Sequence, residues 1–390
     1  MPEGTLRAGL PWDHLPHAYG LATDTPGHLQ ALMGDDPQAQ HAAVEHLFSA
    51  VLHQGTVYPA TPAAVRVIGS LLDAPALRRH TPHGRPVLAS VVRWLSEAAE
   101  SAGWYEPDLD LPQPTSQELD AWCALLDADD EQAWDSPVLD ALSNAALADL
   151  RDSAPELVHL LLPLLDHAEL AVRMEAAGAL AQWGMLPAAT PLTARTVQRL
   201  QARLEQAQGR DERAGLLLAL GQLGADTAPW LGDPDPAVQA MAALRCPGDD
   251  RSTPLLVSAL THVRETDTWF GERPPLIPSQ VRFTLLQELL ARDVPFADLL
   301  PAALAVAEVA HPYTADDDWG PLLRAAFPAT TSLLGVPTPP PARLDASQRA
   351  FLQALLANRS LWDTKILDAK NAFTNVGLPY GRSAVAKLAR

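Results

Sequence analysis

The chain contains 390 residues, 47% of which are hydrophobic, and its formal net charge is −19. This hydrophobic fraction predicts a folded protein, and the length would suit two or three ordinary domains. The most apolar run, Leu157 to Leu165, is far shorter than the roughly 20 residues that cross a bilayer, so no membrane association is expected. Only two cysteines, Cys123 and Cys246, and an N-terminal segment without the apolar core of a signal peptide predict a reduced, cytoplasmic protein.

Helices are predicted along most of the chain, after an irregular lead over residues 1–27 that prolines interrupt. An extended connector is expected from Trp104 to Thr115, and a loop from Thr266 to Pro278. No segment alternates regularly enough to predict a strand, so we expect little β-sheet. The predicted helices outside the repeat region 155–245 cover 28–53, 61–73, 85–102, 116–127, 137–152, 279–292, 296–310, 319–334 and 346–357.

The most regular segment, Ala154 to Gly184, predicts two helices joined by a short turn. Leucines at three- and four-residue spacing give the first helix one apolar face, and Gly184 is expected to cap the second helix in a left-handed conformation. Because neither helix can bury its apolar face alone, such a pair gains stability by stacking on copies of itself. Weaker copies occur at Asp211–Gly224, Asp233–Ala243 and Gly34–Leu47.

The second helix of this segment resembles the HEAT repeat. The matching positions are Asp166, Val172, Arg173, Ala176, Ala177, Ala179 and Leu180, with partial matches at Asp36–Pro37 and Asp235–Pro236. The arginine expected after the valine is Gln239 in one copy, so a ladder of stacked Asp–Arg pairs should be incomplete. The chain is also similar to bacterial HEAT-repeat proteins of mostly undefined function, in Tyr19–Leu32, His53–Thr61, Ser347–Phe351 and Gly377–Tyr380.

The repeat period and this resemblance together predict an all-α protein. The expected architecture is an α-α superhelix, a HEAT/armadillo-like solenoid of stacked antiparallel helix pairs over residues 28–335. A proline-rich linker is predicted at 336–345, followed by a C-terminal helical segment, 346–390, packed on the solenoid. A monomer is favoured.

Negative charge is concentrated in the acidic interval, residues 94–150, which contains fourteen acidic residues and no lysine or arginine. One interpretation is a solvated acidic face with two loops. The other is a docking surface, in which charge steers a basic partner and aromatic side chains such as Trp104 and Trp122 anchor it. The acidic residues are Glu97, Glu100, Glu106, Asp108, Asp110, Glu118, Asp120, Asp127, Asp129, Asp130, Glu131, Asp135, Asp140 and Asp149.

We therefore expect a non-catalytic scaffold that binds a protein or peptide. A more specific hypothesis is an immunity- or inhibitor-type protein whose acidic surface binds a basic partner. The alternative is a HEAT-like enzyme or enzyme accessory, of a cofactor-lyase or nucleic-acid-repair type, which a deep pocket with convergent acids and aromatics would favour. The candidate partner-binding residues are Trp104, Tyr105, Asp108, Asp110, Asp129, Asp130, Glu131, Trp134, His53, Gln54, Tyr58, Trp269 and Trp319.

Nucleic acid is not the expected ligand, because phosphate contact requires clustered lysine or arginine. Arg195, Arg199 and Arg203 form one helical stripe, but Glu205 and Glu212 lie nearby, so a solvated face is expected. No catalytic residue and no cofactor is predicted.

Histidines occur in small groups, and each group is too small to predict a metal site, which needs three or four convergent ligands. Three consecutive aspartates, Asp316 to Asp318, suit the N-terminus of a helix better than calcium ligation. The histidine groups are Asp13 with His14 and His17, His41 with His46, and His80 with His83.

Overall fold

We analysed a computed structural model that describes residues 11–108, 110–328, 343–362 and 365–390. Within these ranges the protein is mostly helical and contains almost no strand, which confirms the all-α prediction. The chain divides into two compact units, Met1–Ala225 and Asp226–Arg390. Most of the predicted linker, up to residue 342, lies outside the described residues, as do the first ten residues of the predicted lead.

In the first unit, a two-stranded antiparallel hairpin precedes the helices. Its strands are β1 (Pro16–His17) and β2 (Gly20–Leu21), too short for any alternation to predict them. The helices that follow are α1 (Thr25–Ala31), α2 (Pro37–His46), α3 (Thr61–Leu71), α4 (Val87–Gly103), α5 (Ser116–Asp127), α6 (Pro137–Asp152), α7 (Ala154–Leu161), α8 (Leu170–Met185), α9 (Thr193–Gln206) and α10 (Arg210–Gln222).

The second unit is also built from short helices, among which α12 packs against its chain neighbour α11 and against α15. These helices are α11 (Pro236–Leu244), α12 (Ser252–Thr261), α13 (Val263–Thr266), α14 (Val281–Leu290), α15 (Phe296–Val309), α16 (Trp319–Ala326), α17 (Ala346–Ala357), α18 (Leu367–Thr374) and α19 (Arg382–Leu388). None of the described helices is both long and apolar enough to pass through a bilayer.

The single helix predicted over 28–53 is wrong, because the structure divides this segment. α1 ends at Ala31, and α2 begins at Pro37 after Asp36, whose carboxylate accepts a hydrogen bond from the Gln38 amide at 2.9 Å. A proline in the first turn has no N–H to satisfy, and an aspartate before it caps the free amides. Asp36 and Pro37 therefore start a new helix within the segment for which the sequence predicted one continuous helix.

α8 forms the centre of the first unit, where it packs against α4, α7 and α10. Its side chains are buried around most of its circumference, including Met174, Leu180 and Trp183. A helix apolar on nearly all sides is stable only when neighbours surround it. Gly184 is not the predicted left-handed cap: it lies inside α8, where a Cβ atom would stand 2.7 Å from Leu223 Cδ2. In the weaker copy at 211–224, the final glycine, Gly224, is left-handed, with φ of 79°.

Buried ion pairs join the neighbouring helices of this stack. The Arg173 guanidinium of α8 donates to both carboxylate oxygens of Glu212 in α10, at 2.7 and 3.1 Å. Arg203 of α9 donates to the same carboxylate at 2.7 Å, so Arg203 is not part of the solvated stripe expected from the sequence. Arg85, before α4, pairs with Glu175 of α8 in the same way. These carboxylates are glutamates, whereas the HEAT pattern led us to expect aspartates.

We expect Glu212→Gln to lower the free energy of unfolding by about 3 kcal/mol, because two largely buried arginines lose their countercharge. Burial alone would raise the pKa of Glu212, but the hydrogen bonds from Arg173 and Arg203 outweigh it and hold the pKa below its ordinary value of 4.5. The carboxylate therefore stabilises the fold fully above about pH 4.5, and this contribution is lost as the pH falls through the lowered value.

Urea unfolding between pH 3 and pH 7 measures this contribution. The difference between the wild type and Glu212→Gln should shrink on acidification. Glu205→Gln, which changes an exposed glutamate of α9 next to this network, should alter stability by less than about 0.5 kcal/mol. A pH-independent difference between the wild type and Glu212→Gln would contradict the assignment.

Candidate interaction site

The turn between α2 and α3 has an unusual backbone. Gln54 and Gly55 both have positive φ, 51° and 75°. The His53 ring nitrogen Nδ1 lies 2.9 Å from the Ser49 carbonyl oxygen and 3.4 Å from the Tyr19 hydroxyl, so the ring is held on the outer side of the turn. Glycine adopts a left-handed conformation without the steric penalty of other residues, which explains the choice of Gly55.

The segment after α4 carries two exposed aromatic side chains. Trp104 is 57% and Tyr105 is 70% exposed. The backbone of this segment is held by Arg151, a buried side chain of α6, which donates to the Tyr105 carbonyl oxygen at 2.6 Å and to the Ala102 carbonyl oxygen at 3.3 Å. The same guanidinium donates to the Glu106 carboxylate at 2.8 Å. The rings of Trp104 and Tyr105 thus project from a fixed backbone.

A cavity of about 370 Å³, which we call the Trp104 cavity, lies between this segment, the turn and α6. Gly55 lies directly against the Trp104 ring: a Cβ atom at this position would stand 2.9 Å from Trp104 Cη2. The other lining residues are Gln54, Thr56, Val57, Ser101, Tyr105, Glu106, Ser143, Asn144 and Leu147. Two candidate regions that are about 50 residues apart in the sequence therefore form one site.

The remaining candidate residues lie outside the lining of the cavity. Tyr58 stands in the same turn and burial raises its pKa, and the Asp108 amide donates to Asn144 Oδ1 at 2.8 Å. Asp110, Asp129, Asp130, Glu131 and Trp134 are at least partly exposed.

Several of these residues have local structural roles. The Asp108 carboxylate accepts from the Asp110 amide at 3.0 Å, and the Asp130 carboxylate accepts from the Gln132 amide at 2.9 Å. Asp129 adopts a left-handed φ of 56° at the end of α5. The indole N–H of Trp122 donates to the Ala133 carbonyl oxygen at 2.8 Å, so this buried tryptophan anchors the connector between α5 and α6.

Trp269 and Trp319 are interior residues of the second unit, so their side chains are not available as partner contacts. The Trp319 indole N–H donates to the His311 carbonyl oxygen at 2.9 Å. Asp318 accepts from the Trp319 amide at 2.6 Å and begins α16, as the three consecutive aspartates predict. Both tryptophans are therefore excluded from the candidate surface.

The acidic interval is mostly exposed, since only Glu97 and Asp130 among its acids are partly buried. In the described part of the chain, three of the fourteen acids pair with arginine: Glu97 with Arg93, Glu106 with Arg151 and Asp149 with Arg66. Asp120 approaches His14 at 3.3 Å. Most of the negative charge of the interval therefore faces solvent without an arginine or lysine partner among these residues. Loss of hydration at its carboxyl group, followed by the like charge of Glu97, raises the pKa of Glu100, although the residue as a whole is exposed.

Sequence reasoning missed Ser101, Asn144 and Arg151 as residues that build the site. In the sequence, Arg151 is simply the first basic residue after the acidic interval. This position could have indicated its role, because a buried guanidinium needs carbonyl or carboxylate partners and the interval supplies carboxylates.

No protein-family model matches the chain, and no curated protein matches it significantly. The HEAT resemblance therefore depends only on the residues quoted for it and stays a prediction.

We expect Gly55→Ala to be more destabilising than Gly84→Ala. Both glycines have left-handed φ, 75° and 81°, and a non-glycine residue in this conformation costs about 1–2 kcal/mol. Only at Gly55 does the added methyl group also meet the Trp104 ring, and because this exposed ring can move aside, the contact adds at most about 1 kcal/mol, the lower end of overpacking costs. Gly84 has no atom within 4 Å of the added Cβ and is the matched control.

Urea unfolding gives both free energies, and iodide quenching of tryptophan fluorescence reports the position of the displaced Trp104 ring. Equal destabilisation by the two substitutions, with unchanged quenching, would show that Trp104 does not pack on the turn.

Proposed function

We propose that the protein is a non-catalytic interaction protein that binds a basic segment of a partner protein at the Trp104 cavity and the acidic interval around it. The observation that carries this proposal is the combination of two exposed aromatic side chains with an exposed, largely unneutralised acidic surface. Aromatic residues are the usual anchors of interfaces, and complementary charge accelerates association.

A cationic side chain suits the chemistry of the cavity. Trp104 and Tyr105 offer ring faces for a cation–π contact with an arginine or lysine of the partner. The Glu106 side chain is 84% exposed despite its pairing with Arg151, so its carboxylate remains accessible to a second cation. The volume of about 370 Å³ lies at the lower end of ligand cavities, about 300–1,000 Å³, and accommodates a side chain rather than a large cofactor.

The enzyme alternative receives less support from the residues of this cavity. Tyr105 and Glu106 are the titratable residues in its lining, and Glu106 is already engaged by Arg151. General acid–base or nucleophilic catalysis requires a second group that accepts or delivers a proton, such as a histidine, within hydrogen-bonding reach. The lining contains no histidine, cysteine or lysine, so the cavity favours binding over catalysis.

We further propose a HEAT-like stack for the helices of the first unit. The contacts of α8 with α4, α7 and α10, and the Arg–Glu pairs between them, support this arrangement. The solenoid expected from the sequence, the monomeric state and the cytoplasmic location are part of the same proposal. An immunity- or inhibitor-type protein that covers a basic site of a toxin or nuclease is its specific version.

We expect Tyr105→Ala to weaken binding of the natural partner at least ten-fold, the loss typical of an aromatic anchor. Tyr313→Ala, in the second unit, is the matched control, since Tyr313 is 69% exposed and should leave the affinity unchanged. Proteins captured from native lysate by the immobilised wild type would be identified by mass spectrometry. Calorimetry with the purified partner would then give the dissociation constant of each variant.

Salt provides the second measurement. Affinity for the partner should fall steeply between about 0.05 and 0.5 M salt, because exposed charges are screened beyond a Debye length of about 4–14 Å in this range. A partner that binds Tyr105→Ala as tightly as the wild type, or independently of salt, contradicts the proposal. A co-purified small molecule in place of a protein would instead support the enzyme alternative.

A further inference from the structure

A second group of polar side chains lies in the first unit, outside the Trp104 cavity. His17, Asp24 and His46 each offer one metal-ligating atom, and these three atoms lie within 4.8 Å of one another. Both histidines are buried, whereas Asp24 is 55% exposed and opens the cluster to solvent. None of the three residues lines the Trp104 cavity, so the proposed function does not involve this cluster.

Three elements bring these side chains together. His17 lies on β1, Asp24 directly precedes α1, and His46 is the last residue of α2. The sequence places His17 with His14 and His46 with His41, yet the fold separates these neighbours and pairs His17 with His46 across Asp24. The hairpin and the break between α1 and α2, neither of which the sequence predicted, create this pairing.

The distances resemble those of a tetrahedral site. His17 Nε2 lies 3.0 Å from Asp24 Oδ1, and His46 Nδ1 lies 3.9 Å from Asp24 Oδ2. In a tetrahedral zinc site with bonds of about 2.1 Å, neighbouring ligand atoms lie about 3.4 Å apart. The two observed separations, which end on different oxygens of the Asp24 carboxylate, lie on either side of this value, and the three ligand atoms lie within 4.8 Å of one another.

The neighbours of His46 orient its ring for this purpose. Thr25 Oγ1 lies 2.9 Å from His46 Nε2, which leaves Nδ1 directed at Asp24. A hydrogen bond to the distal nitrogen is the usual support of a metal-ligating histidine. His28 stacks on the same ring at a centroid distance of 4.0 Å.

We propose that His17 Nε2, the Asp24 carboxylate and His46 Nδ1 bind one divalent transition-metal ion of the zinc type, with the fourth position open to solvent. Two imidazoles and one carboxylate are a ligand set that zinc accepts with water as the fourth ligand. This inference concerns a different site from the proposed interaction surface and does not depend on it.

Metal binding has a defined consequence for His17. The Tyr19 amide donates to His17 Nδ1 at 3.1 Å, so without metal the ring proton resides on Nε2 and is donated to Asp24. An ion at Nε2 displaces this proton to Nδ1, which can then no longer accept from Tyr19. The ring keeps one proton and its neutral charge. The Tyr19 amide loses its acceptor beside Gly20, whose φ of 127° marks the turn that must adjust.

The test uses the full-length protein without a histidine tag, after treatment with a chelator. Calorimetric titration with zinc chloride should give one site per chain, and cobalt(II) should produce the visible absorption of a tetrahedral complex. Asp24→Asn removes the central ligand charge while keeping the side-chain shape, and it should weaken zinc binding at least ten-fold. Asp13→Asn is the matched control, because Asp13 forms an aspartate–histidine contact outside the cluster, 3.2 Å from His14. It should leave zinc affinity unchanged.

Two further readouts separate ligation from folding. Without metal, both variants should match the circular dichroism spectrum of the wild type. Zinc should raise the melting temperature of the wild type and of Asp13→Asn but not that of Asp24→Asn, and it should shift and deprotect the Tyr19 amide in nuclear magnetic resonance spectra. Absence of stoichiometric binding, or equal zinc affinity in Asp24→Asn and the wild type, overturns the proposal.

Discussion

The close packing of α8 against α4 and α10 is the constraint on which the first unit depends. α8 is apolar around most of its surface, so it is stable only while its neighbours cover it. α4 is its most extensive neighbour, and the chain leaves α4 directly into the segment that carries Trp104 and Tyr105. The position of the candidate site is thus set by hydrophobic burial in the core, while its chemistry comes from an irregular segment outside it.

Arg151 connects that burial to the surface. Its guanidinium is buried, so it must satisfy its donors within the protein. It does so with two carbonyl oxygens and the Glu106 carboxylate. Glu106, one of the mutually repelling acids of the acidic interval, therefore helps Arg151 to hold the segment after α4. Most of the remaining acids are exposed, which separates the charge that holds this segment from those that face solvent.

Sequence patterns predicted helices where leucines and alanines recur at helical spacing, since that periodicity reflects a local requirement for one buried face. They failed where a contact joins distant residues. Nothing local places Gly55 against Trp104, or His17 beside His46, because these contacts depend on how helices pack. Gly184 shows the same limit, since its close approach to Leu223 requires the neighbouring turn. The prediction that Trp319 contacts a partner was wrong. A tryptophan beside aspartates suggests an exposed position, whereas Trp319 and Asp318 are both buried.

The bonds of Arg151 have a consequence for how such a protein diverges during evolution. Two of them end on main-chain carbonyl oxygens, which every amino acid possesses, and the third ends on the Glu106 carboxylate, so none of them depends on the side chain at position 105. Substitutions there can accumulate without loss of the scaffold that presents them. Related chains can thus carry different exposed side chains at this position while the guanidinium and the helices behind it stay constant.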